Sequence, residues 1–164
     1  MSSQEAIVSS ESSEKSEQGN QERFLAFSLG KEHFGIPLIR VKEVIGLTEI
    51  TSVPYTPSHF KGVMNLRGQV ISVVDLRIKM NLSKTEIKPE TAIVILDVPP
   101  LSIGIMVDSV DNVLSLSSVD IQETPDIENH SLKDSITGVV RQDHNLIVLI
   151  DIIQILNIQE SLKG

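Results

Sequence analysis

The sequence predicts an all-β protein with short helices, built by internal duplication as two small β-barrels packed on each other. Three observations support this. First, Gly62-Val63-Met64 followed by the apolar run 70–76 recurs 76 positions later as Gly138-Val139-Val140 followed by the run 146–152. Upstream, Phe34-Gly35-Ile36 with Val41 and Val44-Ile45 is echoed by Ile103-Gly104-Ile105 with Val110 and Val113-Leu114. Two copies at so long a period do not make a solenoid. Second, hydrophobic residues make up 40% of the chain but aromatics only 3%, so the core must be Val, Ile and Leu, which suits strands. Third, short apolar runs alternate with turn residues at intervals of roughly ten residues, the rhythm of barrels and not of a doubly wound sheet.

Residues 1–22 are rich in Ser, Glu and Gln and bury too little apolar surface to offset ordering, so they read as a disordered acidic tail. A strand is expected from Phe24, a turn at residues 30–32 and a second strand over 33–36, ended by Pro37. Residues 38–45 place apolar side chains at 38, 41, 44 and 45, a helical spacing for about two turns. Residues 50–53 read as a further strand, and Ser58 as the cap of a single turn through Phe60. Two strands, 62–66 and 69–74, flank a turn containing Arg67-Gly68. Asp75 stands between a strand and a short helix, the place of an N-cap.

The polar stretch 81–90 is the expected junction between a first barrel (23–80) and a second (91–158), with 159–164 as a tail. Residues 91–98 form a nearly continuous apolar run, expected as a strand buried on both faces. Pro99-Pro100 turns the chain, and 101–107 returns. The second unit then repeats the plan with a longer exposed loop over 122–134, a hairpin turning at 142–145 and a closing helix from Asp151 to about Asn157. A unit of about 65 residues buries little core alone, so the barrels are expected to share an apolar interface.

Charge and composition exclude several functions. A net charge of −8 argues against nucleic acid, which needs a basic footprint. Charge is uneven: residues 24–80 carry seven Lys/Arg against four Asp/Glu, and residues 81–164 carry five against thirteen. Without cysteine there is no disulfide, thiolate metal site or cysteine nucleophile. No apolar run is long enough to span a membrane, and the N-terminus lacks a secretory pattern. His33, His59, His130 and His144 show no ligand spacing, and no metal or other cofactor is expected.

Asp75 and Asp151 hold equivalent places in the two copies, which raises a dyad hydrolase as a remote alternative. Dyad aspartates need small neighbours, however, and Leu76-Arg77 and Ile152-Ile153 are bulky residues that begin helices, so capping is the better account. The turn residues are not shared: Asn65-Leu66-Arg67-Gly68 faces Arg141-Gln142-Asp143-His144. Arg67 is therefore either a solvated turn residue or an interaction residue whose planar fork suits partner carboxylates, and the pattern leaves both open.

The segment FKGVMNLRGQVISVVDLR at residues 60–77 resembles the hallmark of CheW-type chemotaxis coupling proteins. FLAFSLG at 24–30, FGI at 34–36, VDSV at 107–110 and Val113-Leu114 are similar to other parts of that family's pattern, and the likeness covers about residues 23–158. The resemblance implies two five-stranded SH3-like barrels, with the N-terminal strand crossing to the second barrel. It implies a non-enzymatic cytoplasmic adaptor at membrane-associated receptor arrays. Its partners would be the regulatory domain of the CheA histidine kinase and the cytoplasmic tips of chemoreceptors. A coupling protein of a related non-chemotaxis kinase pathway, such as twitching motility, is the alternative. By residue, the resemblance implies a kinase-facing surface of Val41, Glu43 and Gly62, with Ile36 and Leu38 beside them. It implies a receptor-facing set of Asn65, Leu66 and Arg67, with Val107 and Val110 lining a groove between the barrels.

Overall fold

The structure, a computed structural model, describes residues 21–82, 86–123 and 133–157. Ten strands are found among them: β1 (Glu22–Leu29), β2 (Glu32–Pro37), β3 (Val41–Gly46), β4 (Phe60–Leu66), β5 (Gln69–Asp75), β6 (Ala92–Val98), β7 (Leu101–Val107), β8 (Ser109–Leu116), β9 (Ile136–Gln142) and β10 (Asn145–Ile150). Two short helices follow the last strand of each repeat, α1 (Leu76–Lys79) and α2 (Ile152–Ile155). Of the expected tail over 1–22, residues 1–20 lie outside the described residues, as do the middle of the 122–134 loop and the C-terminal tail, while Glu22 already opens β1.

The strands form two five-stranded sheets, ordered β8-β1-β2-β10-β9 and β3-β6-β7-β5-β4. Each curls until its two edges meet. Leaving β3, the chain reaches across to β4, where Thr51 and Val63 exchange N–H···O bonds of 2.8 and 2.9 Å. Leaving β8, it reaches β9 in the same way, where Gln122 and Val139 exchange bonds of 2.9 and 3.0 Å. Closure of this kind removes the open edges that Val/Ile strands would otherwise present.

The division at 81–90 does not separate the sheets. β1 and β2 join β8–β10, while β6 and β7 join β3–β5, so each barrel takes two strands from the other half. The crossing is larger than the single N-terminal strand expected. Its cause lies in two parallel pairings, β2 with β10 and β7 with β5, since a parallel neighbour cannot come from an adjacent hairpin.

Alternation along the central strands builds the core in three parts. Phe24 and Ala26 of β1 face a cluster inside the β1 sheet with Leu114 and Leu149. Ile93 and Ile95 of β6 face a cluster inside the β3 sheet with Ile71 and Met106. The opposite faces, Leu25, Phe27 and Leu29 on β1 and Val94, Leu96 and Val98 on β6, meet in a cluster drawn from both sheets. β1 and β6 are therefore buried on both faces, as the continuous apolar run 91–98 led one to expect. Burying each such side chain contributes about 1.5–3 kcal/mol, so the barrels hold together chiefly through this shared layer.

Three local expectations fail. Only Leu38–Arg40 is helical, as one 3-10 turn, and the remainder of 38–45 is β3. Val44 is 41% exposed, so the apolar spacing there marks no buried helix face, and pairing with β6 decides the conformation. Residues 50–53 form no strand beyond the bridge at Thr51. Ser58 caps no helix: Phe60 N–H donates to the Pro57 carbonyl at 3.0 Å and the chain enters β4 directly.

Candidate functional site

The β4–β5 hairpin turns on Arg67 and Gly68, with φ of +51° and +86°. Two central residues with positive φ are what a two-residue hairpin needs to match strand twist, and Gly, Asn or Asp is favoured in them. Gly68 fits; Arg67 does not, because a side chain crowds the left-handed backbone. The turn is secured by Asn65, whose Oδ1 accepts from the Gly68 N–H at 2.9 Å. The equivalent turn of the second copy places Asp143 at φ +54°, a residue suited to that conformation. Only the left-handed first position is thus shared, since Gly68 has a positive φ and its counterpart His144 does not, and the arginine is not shared.

Sheet order decides what Arg67 meets. β3 and β4 are opposite edges of their sheet, and its curl brings Glu43 of β3 against the β4–β5 turn. The Arg67 guanidinium donates to the Glu43 carboxylate through Nη2. The Arg67 side chain remains 68% exposed, so the pair is a surface contact that leaves donors free to face outward. Beside it lies an open groove of about 460 Å³ that also takes in Lys42, Gln69, Asp97 and Pro100. Sequence reasoning missed Lys42, Gln69 and Asp97 because they meet only through sheet order, which local spacing does not encode.

The residues expected to face partners divide into two groups. Asn65 and Arg67 are exposed, and Leu38, Val41, Glu43, Leu66 and Val110 are half-buried. Of these, Leu38, Val41 and Val110 also pack against the inter-sheet core, so they are anchored and partly accessible. Ile36, Gly62 and Val107 are buried. Ile36 and Val107 belong to the inter-sheet core. Gly62 has φ of +146°, and a Cβ there would lie 2.1 Å from the Thr51 carbonyl oxygen, so it serves barrel closure. Val107 therefore lines no accessible groove.

Among the described residues the two equivalent aspartates do not meet as a dyad. Asp75 is buried in the β3 sheet, and its Oδ1 accepts from the Arg77 and Ile78 N–H groups of α1 at 3.0 and 3.4 Å. Asp151 lies at the end of the β1 sheet and accepts from the Gln154 N–H of α2 at 3.2 Å. Each carboxylate serves its own helix, as caps do. Ser28, His33 and Asp111 do meet, but Ser28 Oγ and Asp111 Oδ2 both address His33 Nδ1, at 3.1 and 3.3 Å. A nucleophile relay needs the hydroxyl and the carboxylate on opposite ring nitrogens. Among the described residues no group of three His, Cys, Asp or Glu could hold a metal ion. None of the described helices is long and apolar enough to cross a membrane.

Two titrations are displaced elsewhere. Burial, and then the nearby Lys79 charge, lower the His59 pKa below 6.5. The Ser117 backbone N–H and hydroxyl hold Asp120 below the usual carboxylate value.

A family model for the CheW-like domain matches residues 23–160. The chain is 32% identical over 139 residues to the chemotaxis protein CheW of Klebsiella aerogenes, covering 85% of this chain and 84% of that protein. It is 30% identical over 140 residues to the chemotaxis protein CheW of Bacillus subtilis, covering 85% and 90%. Protein FrzA of Myxococcus xanthus is 27% identical over 125 residues, with 76% and 78% covered. Among solved structures, the scaffolding protein TtCheW from Thermoanaerobacter tengcongensis superposes with a TM-score of 0.72 at 27% identity, over 80% of this chain and 85% of that one.

Proposed function

The chain belongs to the CheW-like family, and we propose that its coupling role is to hold a CheA-type histidine kinase against the cytoplasmic tips of chemoreceptors. It acts as an adaptor, through contact and not turnover. The regulatory domain of the kinase sits on the β3 side, over Leu38, Val41 and Glu43. The receptor tip sits at Asn65, Leu66 and Arg67, with Val110 alongside. The half-buried aliphatic groups supply apolar contact, while Arg67 and Glu43 set orientation and choice of partner. The work takes place in the cytoplasm, at membrane-associated receptor arrays.

The observation that carries this assignment is the placing of Arg67. The second copy makes the equivalent turn with Asp143, so the hairpin does not require arginine. A residue that opposes its own backbone preference, holds one carboxylate and stays exposed is better explained by recognition than by folding. Arg67→Glu reverses that charge and sets it against Glu43. The variant should remain folded, lose receptor association and fail to activate the kinase in a reconstituted array. Normal activation by folded Arg67→Glu protein would remove the assignment.

The likeness to protein FrzA favours one second reading, a coupling protein serving a kinase outside chemotaxis. The site would be the same, and the identity of the kinase that co-purifies from the native cell decides between them.

A further inference from the structure

The shared apolar layer draws the barrels together but is non-directional. The angle between them needs polar contacts. The chain passes between the sheets at two places other than loops and helices of each repeat, and the two places differ. Between β2 and β3 it runs through Leu38–Arg40, where Leu38 rests on the inter-sheet core. Between β7 and β8 it passes through one residue, Asp108.

Asp108 is bonded on every side. Its N–H donates to the Ser28 carbonyl of β1 at 3.1 Å. Its Oδ2 accepts from the Gly30 N–H in the β1–β2 turn and from Arg77 Nη1 of α1, the latter at 2.9 Å. One carboxylate oxygen thus joins the turn of one sheet to the helix that follows β5 of the other. The Arg77 and Asp108 side chains are 12% and 20% exposed, so water screens the pair weakly. Gly30, with φ +63°, leaves the necessary space, since a Cβ there would come within 2.7 Å of Arg77 Nη1. The arrangement is not part of the repeat: the counterpart of Arg77 in the second copy is Ile153, which packs on the inter-sheet core.

We propose that Arg77 and Asp108 form an orienting pin that fixes the angle between the barrels and so keeps Val110 in register with the receptor-facing turn at Asn65, Leu66 and Arg67. Val110 lies two residues beyond Asp108 on one sheet, and Val41 and Glu43 lie on the other. Asn65, Leu66 and Arg67 share that second sheet, so rotation about the pin would move Val110 away from the Arg67 turn and split the receptor surface while leaving the kinase surface and the Arg67–Glu43 pair intact. The coupling half of this proposal rests on the function proposed above; the geometric half does not. Both residues are positioning residues and touch no partner.

The absence of native cysteine permits a direct test. Spin labels on Asp97→Cys in β6 and Asn145→Cys in β10, both exposed positions on different sheets, report the inter-barrel distance by pulsed dipolar spectroscopy. The parent chain should give one narrow distance. Arg77→Met and Asp108→Asn should each broaden or shift it without loss of strand signal by circular dichroism, and Arg77→Lys should restore part of the sharpness. Asp108→Asn retains an acceptor for the Gly30 N–H, so it separates loss of charge from loss of the turn. In a reconstituted array these variants should bind the kinase as the parent does, bind the receptor more weakly and activate the kinase about tenfold less. An unchanged distance in Arg77→Met and Asp108→Asn overturns the pin. A changed distance with unchanged activation overturns its role in coupling. If the parent itself activates no kinase, the proposed function fails while the distance measurement still judges the pin.

Discussion

The two closing hairpins, β4–β5 and β9–β10, perform one structural task with different residues. In both, the chain leaving an edge strand bridges onto the hairpin beside a glycine, at Thr51–Val63 and at Gln122–Val139. In both, an aspartate caps the helix that follows, and its N–H donates 2.7 Å to a carbonyl, that of His59 or of Ser135. What both copies retain closes a barrel. What only one retains does other work: Arg67 at the turn pairs with Glu43 across the curl of its own sheet and stays exposed, and Arg77 in the helix reaches Asp108 between the two sheets. The duplication is thus an internal control, and exchanging residues between copies tests it.

The largest effect is expected at the glycines. At Gly62 a Cβ would strike backbone, the Thr51 carbonyl, and the positive φ adds strain. At Gly138 the nearest obstacle is a side-chain atom, Ile121 Cγ2 at 2.4 Å, the Gln122 carbonyl oxygen is farther away at 3.3 Å, and no positive φ adds strain. Gly62→Ala should therefore cost about 4 kcal/mol or more and Gly138→Ala about 1–2 kcal/mol, read from denaturant midpoints. Equal costs would mean that the two closures are more alike than their backbones indicate.

The caps come next. Asp75 is buried and serves two N–H groups, whereas Asp151 is half-exposed and serves one. Asp75→Ala should cost about 2 kcal/mol and Asp151→Ala about 1 kcal/mol by thermal unfolding. The reverse order would show that helix packing, and not capping, dominates there.

A smaller difference concerns His59 and its counterpart Ser135. Burial and Lys79 lower the folded-state pKa of His59, so the folded protein binds this proton less readily than the unfolded chain. The resulting stability is complete above the unfolded value near 6.5 and is lost as pH falls through the lower folded value. His59→Ser should leave stability at pH 8 nearly unchanged and flatten its decline on the acid side of 6.5. A decline as steep as that of the parent would assign the acid sensitivity to other groups.

What the sequence made legible was local. The hairpin over 62–74, the Asp75 and Asp151 caps and the twofold plan depend on neighbours along the chain, and the structure has them. The sheet order did not, because β2 with β10 and β5 with β7 are parallel pairs whose partners no turn announces. The error over 38–45 has the same origin, since β3 is held by β6 some fifty positions later. The site was half legible. Arg67 stood out because the copies differ there, but its partner Glu43 comes from the opposite edge of a curled sheet. Ile36, Gly62 and Val107 were expected on partner surfaces, yet all three are buried. For such positions a family pattern joins residues that touch partners with residues that hold those residues in place.

The smallest stability change, and the sharpest contrast with function, is expected at Arg67 itself. Asparagine tolerates the left-handed backbone that arginine opposes, so Arg67→Asn relieves strain at φ +51° while giving up an exposed ion pair. Pairs of that kind contribute about 0.2–1 kcal/mol, close to the strain recovered, so net stability should shift by no more than about 0.5 kcal/mol. Receptor association should nonetheless fall, because the outward-facing donors are gone. The matching change in the second copy, Asp143→Asn, should alter neither quantity. If Arg67→Asn instead unfolds the β3 barrel, the ion pair with Glu43 is a structural clasp, and the difference between the two turns would no longer indicate a partner.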